Sequence, residues 1–268
     1  MFGFVGVVKS GRENGKDIRA IQSALVAPSR RAGWTDTALI QGPDCVLSAV
    51  EPDFPSTMPT PSMQFDDGIS VALFGTIYND LKAGESPVDF LHRIYVERGV
   101  GCFSELNGTF SLVVQDTGAK KIFVAVDRLG TRPLLYFRGN GHLLISPDLR
   151  SFTESGEVPK RLNPSALAAA LATRHMHGDD TYVLGVRSLN PGCYLEIGPD
   201  SVEEKQYWDY AIEPAEDRSE EDERGEFGTG KKSVVGGEKG EAETEGGDEY
   251  PLTSPADGGE DGDQQNHE

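Results

Sequence analysis

The spacing of apolar and polar positions divides the chain into strand-like and helix-like stretches up to about residue 210, and into neither beyond it. The densest pattern lies between Phe103 and Asp148. Residues 109–114 and 122–126 are apolar at nearly every position and rich in β-branched and aromatic side chains, as in strands covered on both faces. Asp116-Thr117-Gly118 and Gly139-Asn140-Gly141 supply turn chemistry, so the stretch predicts four short strands. Between the hairpins, DRLGTRPL at 127–134 predicts a turn in which Gly130 permits an unusual backbone and Pro133 fixes the start of the next strand.

Earlier in the chain, residues 2–8 (FGFVGVV) alternate large and small like a buried strand. Residues 17–27 place Ile18, Ile21, Leu25 and Val26 at i, i+3, i+7 and i+8, the pattern of an amphipathic helix. Residues 33–40 and 45–50 predict a hairpin about Gln41-Gly42-Pro43-Asp44, and the four prolines of 51–64 predict a connection without regular structure. A strand at 69–73 leads into Phe74-Gly75-Thr76-Ile77-Tyr78-Asn79. Leu91, Ile94 and Tyr95 mark a second helix at 88–98, ending before Gly99. Asn163-Pro164 supplies an N-cap and a first-turn proline for an alanine-rich helix at 165–173.

Charge changes the picture at the C-terminal end. Of a net charge of −19, residues 1–212 carry −5 and residues 213–268 carry −14, so the acidity belongs to the tail. The tail is rich in Glu, Gly and Asp and poor in large apolar residues, which predicts a solvated disordered segment or a polyanionic interaction segment. We therefore expect one folded domain at 1–212 and an acidic tail at 213–268. Apolar runs such as 166–172 are too short to span a bilayer, and nothing resembles a signal peptide, so a soluble, cytoplasmic chain is expected. The doublet Arg30-Arg31 lacks the aromatic interleaving and basic face of a nucleic-acid site and reads as a solvated helix end. Cys45, Cys102 and Cys193 have no metal-like spacing and read as buried small hydrophobes. His175 and His177 stand at i, i+2 and His92 has no second ligand at helical spacing, so no metal or other cofactor is expected.

The tracts LNGTFSLVV, VDRLGTRPLLYF and LISPDLRSF, with VRSLNPG at 186–192 and Tyr207-Trp208-Asp209, resemble the class II glutamine amidotransferases, in particular the glutaminase domain of asparagine synthetase. Pro147 departs from the family's S-E-x-K-A-L. The resemblance covers about residues 1–210 and implies an α+β fold of the Ntn-hydrolase type, a four-layer αββα sandwich. It also implies a mechanism whose landmarks are altered here. The family pattern C-G-I-x-G places a cysteine where this chain has Phe2, and that residue must supply both thiol and free α-amine. Phe2 can do neither, and it resembles second residues behind which the initiator methionine is retained. The family's N-G-E-I-Y-N supplies an oxyanion hole from asparagine and glycine and a glutamate for the substrate's amino group. Phe74 stands at the asparagine, Gly75 keeps the glycine, and Thr76 replaces the glutamate. Loss of one such donor costs roughly 100- to 1,000-fold in rate.

Further family positions are also changed. At the family's G-S-D-T-E, Ser86 falls at the substrate-binding aspartate, with Glu85 one residue early. Gln41 stands at the arginine of R-G-P-D, where an amide cannot offer a bidentate charged fork, and the echo reads as a turn. The resemblance thus implies a domain without glutaminase chemistry, acting as a binding or regulatory subunit beside a synthetase-type ATP-using protein. The alternative is a shortened remnant whose S-G-G-x-D-S synthetase half is absent or encoded elsewhere. A rebuilt site would need Glu85, His92 and Cys102 to converge. No nucleic-acid or membrane partner is expected, and a homo-oligomer is left open.

Overall fold

The computed structural model describes residues 3–11, 17–52, 61–139, 141–176 and 178–211. Phe2, Asn140, His177, the connection at 53–60 and the acidic tail lie outside them. Among the described residues the strands are β1 (Gly3–Lys9), β2 (Trp34–Gln41), β3 (Cys45–Pro52), β4 (Ser62–Asp66), β5 (Ile69–Ile77), β6 (Gly108–Asp116), β7 (Lys121–Val126), β8 (Leu135–Gly139), β9 (His142–Ser146), β10 (Val186–Ser188), β11 (Cys193–Ile197) and β12 (Val202–Gln206). The helices are α1 (Ile18–Arg31), α2 (Pro87–Arg98), α3 (Leu149–Glu154) and α4 (Pro164–Thr173).

The strands form two antiparallel six-stranded sheets, in the orders β10-β8-β9-β1-β3-β2 and β12-β11-β7-β6-β5-β4. Period-2 alternation assigns the faces. Phe4 and Val8 of β1 join Leu47, Ala72, Phe74, Val113, Val124, Leu143 and Ile145 in a cluster drawn from both sheets. The alternate residues Val5 and Val7 pack with Ile18, Ile21, Leu25 and Val26 of α1 and Phe152 of α3. On the second sheet, Val71, Leu73, Leu112 and Phe123 pack with Leu91, Ile94 and Tyr95 of α2. Gly6 shows why β1 alternates large and small: a Cβ there would meet Leu47 Cδ1 at 2.8 Å and the Val46 carbonyl oxygen at 2.9 Å.

Several expected boundaries move. The four central strands are present, but they separate into β6–β7 in one sheet and β8–β9 in the other. A 3₁₀ turn at Gly99–Glu105 carries Phe103 into the core ahead of the strands. α1 continues through Pro28 to Arg31, the proline being buried against the sheet. Arg30 then pairs with Asp36 at 2.6 Å and Arg31 with Glu154, so the doublet is committed to local ion pairs. The proline-rich connection ends sooner than its composition implies, because 62–66 pair with β5 as the edge strand β4. The three cysteines are buried, as expected.

The turn between β7 and β8 is built on a buried carboxylate. Asp127 is 1% exposed and accepts from the backbone N–H of Phe110 (3.0 Å), Leu129 (3.0 Å) and Thr131 (3.1 Å) and from the Thr131 hydroxyl (2.6 Å). Asp127→Ala takes the acceptor from all four donors and leaves the Phe110 N–H unmet in a buried setting. It should lower stability by about 3–5 kcal/mol, read as a shifted urea midpoint with an unchanged slope.

Candidate functional site

Of the residues that the sequence resemblance sets at catalytic positions, Phe74, Gly75 and Thr76 lie in the last third of β5, and Phe2 lies outside the described residues. β5 is an interior strand held on both sides, with Phe74 opposite Ser111 and Thr76 opposite Thr109 across β6. Alternation turns Phe74 and Thr76 toward the space between the sheets and Gly75 toward α2. Gly75 adopts φ +134°, and a Cβ would lie 2.0 Å from the Thr109 carbonyl oxygen, so only glycine fits this close approach.

Phe74 is 3% exposed. Its ring meets Phe4 edge-on at 6.2 Å between centroids, and the Arg132 guanidinium stands 4.9 Å from its centroid. Gly3 adjoins the same ring: a Cβ placed there would be 3.7 Å from Phe74 and 3.3 Å from Pro147 Cγ. Two residues that depart from the family pattern, Phe74 and Pro147, therefore come together beside the first strand. Both are apolar, and neither side chain offers a donor to a developing oxyanion. Beyond Pro147 a groove of about 420 Å³ is lined by Pro133, Leu135, Asp148, Leu149 and Arg150. Burial raises the Asp148 carboxyl, but hydrogen bonds from Arg150 outweigh it and leave the group below the ordinary aspartate range. The one carboxylate of this groove is thus committed to an ion pair.

The remaining family positions lie apart from this ring. Ser86 is the N-cap of α2: its hydroxyl donates to Asp89 Oδ2 at 2.6 Å and accepts from the Asp89 N–H, and Asp89 receives the Ser86 N–H in a capping box. That role was legible in Ser86-Pro87-Val88-Asp89, a cap residue followed by proline and an acidic third position. Glu85 is held by Arg93 at 2.7 and 3.2 Å. These bonds, with the Lys82 N–H, bring its carboxyl down to about 2. Gln41 ends β2 at the far end of the first sheet, where Val8 pairs with Cys45 while Gly3 pairs with Val50; the echo of the arginine motif is a turn.

The rebuilt site does not assemble. Glu85 is taken by Arg93, and Cys102 is fully buried with Phe103 beneath α2, its thiol pushed up to about 12 by desolvation. Cys45 is likewise pushed up to about 12 by burial, and Cys193 to about 11. His92 is half-buried, where a surface or rim position was expected, and its Nε2 has no partner among the described residues. No cluster of His, Cys, Asp and Glu able to hold a metal occurs among the described residues. No described helix is long and apolar enough to cross a membrane. Sequence reasoning missed the Arg132 stack, which no periodic signal announces.

Two antiparallel sheets thus share a facing core that takes in Phe4 and Val8 of the first strand and Phe74 of β5. The chain belongs to the glutamine amidotransferase domain family, whose model matches residues 1–208. Among curated relatives it is 28% identical over 166 residues to asparagine synthetase (glutamine-hydrolyzing) 2 of Bacillus subtilis, covering 55% of this chain and 22% of that protein. It is 31% identical over 144 residues to amidase chry2 of Gibberella zeae, covering 52% and 21%. The chain thus spans about a fifth of the length of these relatives. Among solved structures, glutamine phosphoribosylpyrophosphate amidotransferase of B. subtilis matches 77% of this chain and 49% of its own at 13% identity, with a TM-score of 0.49.

Phe74→Ala should cost about 3–4 kcal/mol by opening a cavity between the sheets, checked by denaturant unfolding. Glu85 gives a pH test. Its folded carboxyl is depressed below the unfolded value of about 4.3, so its stabilisation is full above that pH and lost as pH falls toward 2. Glu85→Gln should therefore show a shallower fall of melting temperature below about pH 4.5 than the parent chain.

Proposed function

We propose that this chain is an asparagine-synthetase-like amidotransferase domain that has lost glutaminase chemistry and acts as a binding or regulatory subunit for a synthetase-type ATP-using protein. The observation that carries the reading is the apolar filling beside the first strand. Where the family mechanism needs a thiol, an amine and an oxyanion donor, this chain has Phe2 in sequence and, in the fold, Phe74 packed on Phe4 and lying against Gly3 and under Arg132. None of the cysteines substitutes as nucleophile, since burial holds all three thiols protonated near neutral pH. Thr76 and Ser86 offer no charge to a substrate ammonium, and Ser86 is occupied as a helix cap.

The scaffold supports a retained binding role. Glycines that tolerate no side chain stand at Gly6, Gly75 and Gly192, and the apolar strand positions are filled. A chain under no demand to fold would not keep them. We further read the fold as the four-layer αββα sandwich of the Ntn hydrolases, the domain as 1–212 followed by the acidic tail, and the location as the cytoplasm.

Purified full-length protein incubated with glutamine should release no ammonia above the buffer blank, and Phe2→Cys alone should not restore release. Ammonia production abolished by one substitution that leaves the fold intact, such as Cys102→Ser, would overturn the reading.

A further inference from the structure

Away from the β1–β5 site, α4 departs from the rule for a surface helix. PSALAAALAT contains no charged residue, and Ala166 is the only side chain it buries. Leu167 and Leu171 stand one turn apart on one face, with Ala168 and Ala172 beside them, and all four are exposed; Leu171 is 76% exposed. A helix that is apolar on every face is ordinarily a covered helix. The exposure continues at its N-terminal end. Leu162 is 66% exposed and stands opposite Val183 in an antiparallel bridge. An exposed apolar helix face of this kind marks an interaction surface.

Charge says what covers it. Lys160 and Arg161 precede the helix and Arg174 caps its end; all three are exposed, and none makes an ion pair among the described residues. By contrast, Arg187 in the neighbouring strand is neutralised by Asp179 at 2.6 Å. The patch is therefore an apolar stripe with uncommitted cations at both ends, about 15 Å apart along the helix, in a body whose net charge is −5.

We propose that α4 is a docking surface for a partner protein presenting an amphipathic helix whose apolar stripe is flanked by Asp or Glu. A second copy of the chain fits poorly: a two-fold axis pairs α4 with itself either antiparallel, bringing Arg174 onto Lys160 and Arg161, or parallel, bringing each cation onto its own copy. A bilayer fits poorly too, because α4 lacks the charged face and aromatic side chains of an interfacial helix, and an acidic body is repelled by anionic lipid. The surface lies on its own element and holds whether or not the chain hydrolyses glutamine.

The test uses the full chain and a fluorescent acidic amphipathic peptide of about five helical turns, with Leu at i, i+3, i+4 and i+7 and Glu elsewhere. The acidic peptide should bind in a salt-sensitive manner. Affinity should fall roughly tenfold in Leu171→Asp, an exposed position, and again in the double variant Lys160→Glu/Arg161→Glu, with melting temperatures unchanged. Absence of binding, equal binding of a peptide with Lys in place of Glu, or indifference to both variants would overturn the proposal. So would binding to anionic vesicles, or self-association in sedimentation, that Leu171→Asp abolishes.

Discussion

Two of the chain's crossings from one sheet to the other meet at the carboxylate of Asp127. The chain leaves the second sheet at Val126 and enters the first at Leu135, and it returns between Ser188 and Cys193. These two crossings lie side by side. Asp127 binds the first turn through its side chain, while its carbonyl accepts the N–H of Gly192 in the second. Gly130 and Pro191 touch across the gap, and the Leu189 N–H donates to the Leu134 carbonyl. A buried anion is costly unless its hydrogen bonds are met, and here four donors meet them. Gly192 then receives the N–H groups of Tyr207 and Trp208, and Arg128 stands over the Trp208 ring at 5.7 Å. The two most specific sequence tracts, 127–134 and 186–192, are thus one structural joint.

That joint explains how much of the fold was legible. Apolar periodicity finds strands and turn residues find their ends, so β1 through β3, β6, β7 and the helices α1, α2 and α4 were readable from local pattern, while the short α3 was not. Sheet membership was not. Nothing in the alternation of 109–114 or 135–139 says that one hairpin joins α2 and the other faces α1, because that choice is made by Asp127 and Gly192 across more than sixty positions of sequence. β4 was hidden for a different reason: Ser62–Asp66 is a short edge strand after a run of prolines, and its pairing with β5 rather than its own composition makes it a strand. α1 running on through Pro28 is a tertiary override of the same sort, since burial against the first sheet offsets one lost hydrogen bond.

The candidate site was legible as a set of altered letters and illegible as an arrangement. Sequence placed Phe74, Gly75, Thr76 and Ser86 at motif positions; only the fold shows that the first three belong to one strand and that the helix capped by Ser86 packs on the opposite face of that sheet. Fully burying an aromatic side chain stabilises by about 2–3 kcal/mol, and an unpaired buried amide at the same position would cost on the order of 1–3 kcal/mol. An active oxyanion hole accepts that cost for catalysis. Phe74, edge-on to Phe4 and covered by Arg132, fills its place between the sheets in favour of stability.

The same chemistry has opposite consequences at the two ends of the argument. Between the sheets an apolar side chain finds Phe4, Pro147 and the glycine of β1, and its surface is removed from water by its own chain. Along α4 the leucines and alanines find nothing of the kind, since one alanine is all that the body covers. Helix propensity alone gives ten residues little stability in water; Asn163 at the N-cap and the bond from the Arg174 N–H to Ala170 fasten the ends without hiding the middle. An apolar side chain inside the body is accounted for by the fold, whereas an exposed apolar helix with cations at each end is accounted for by no contact among the described residues.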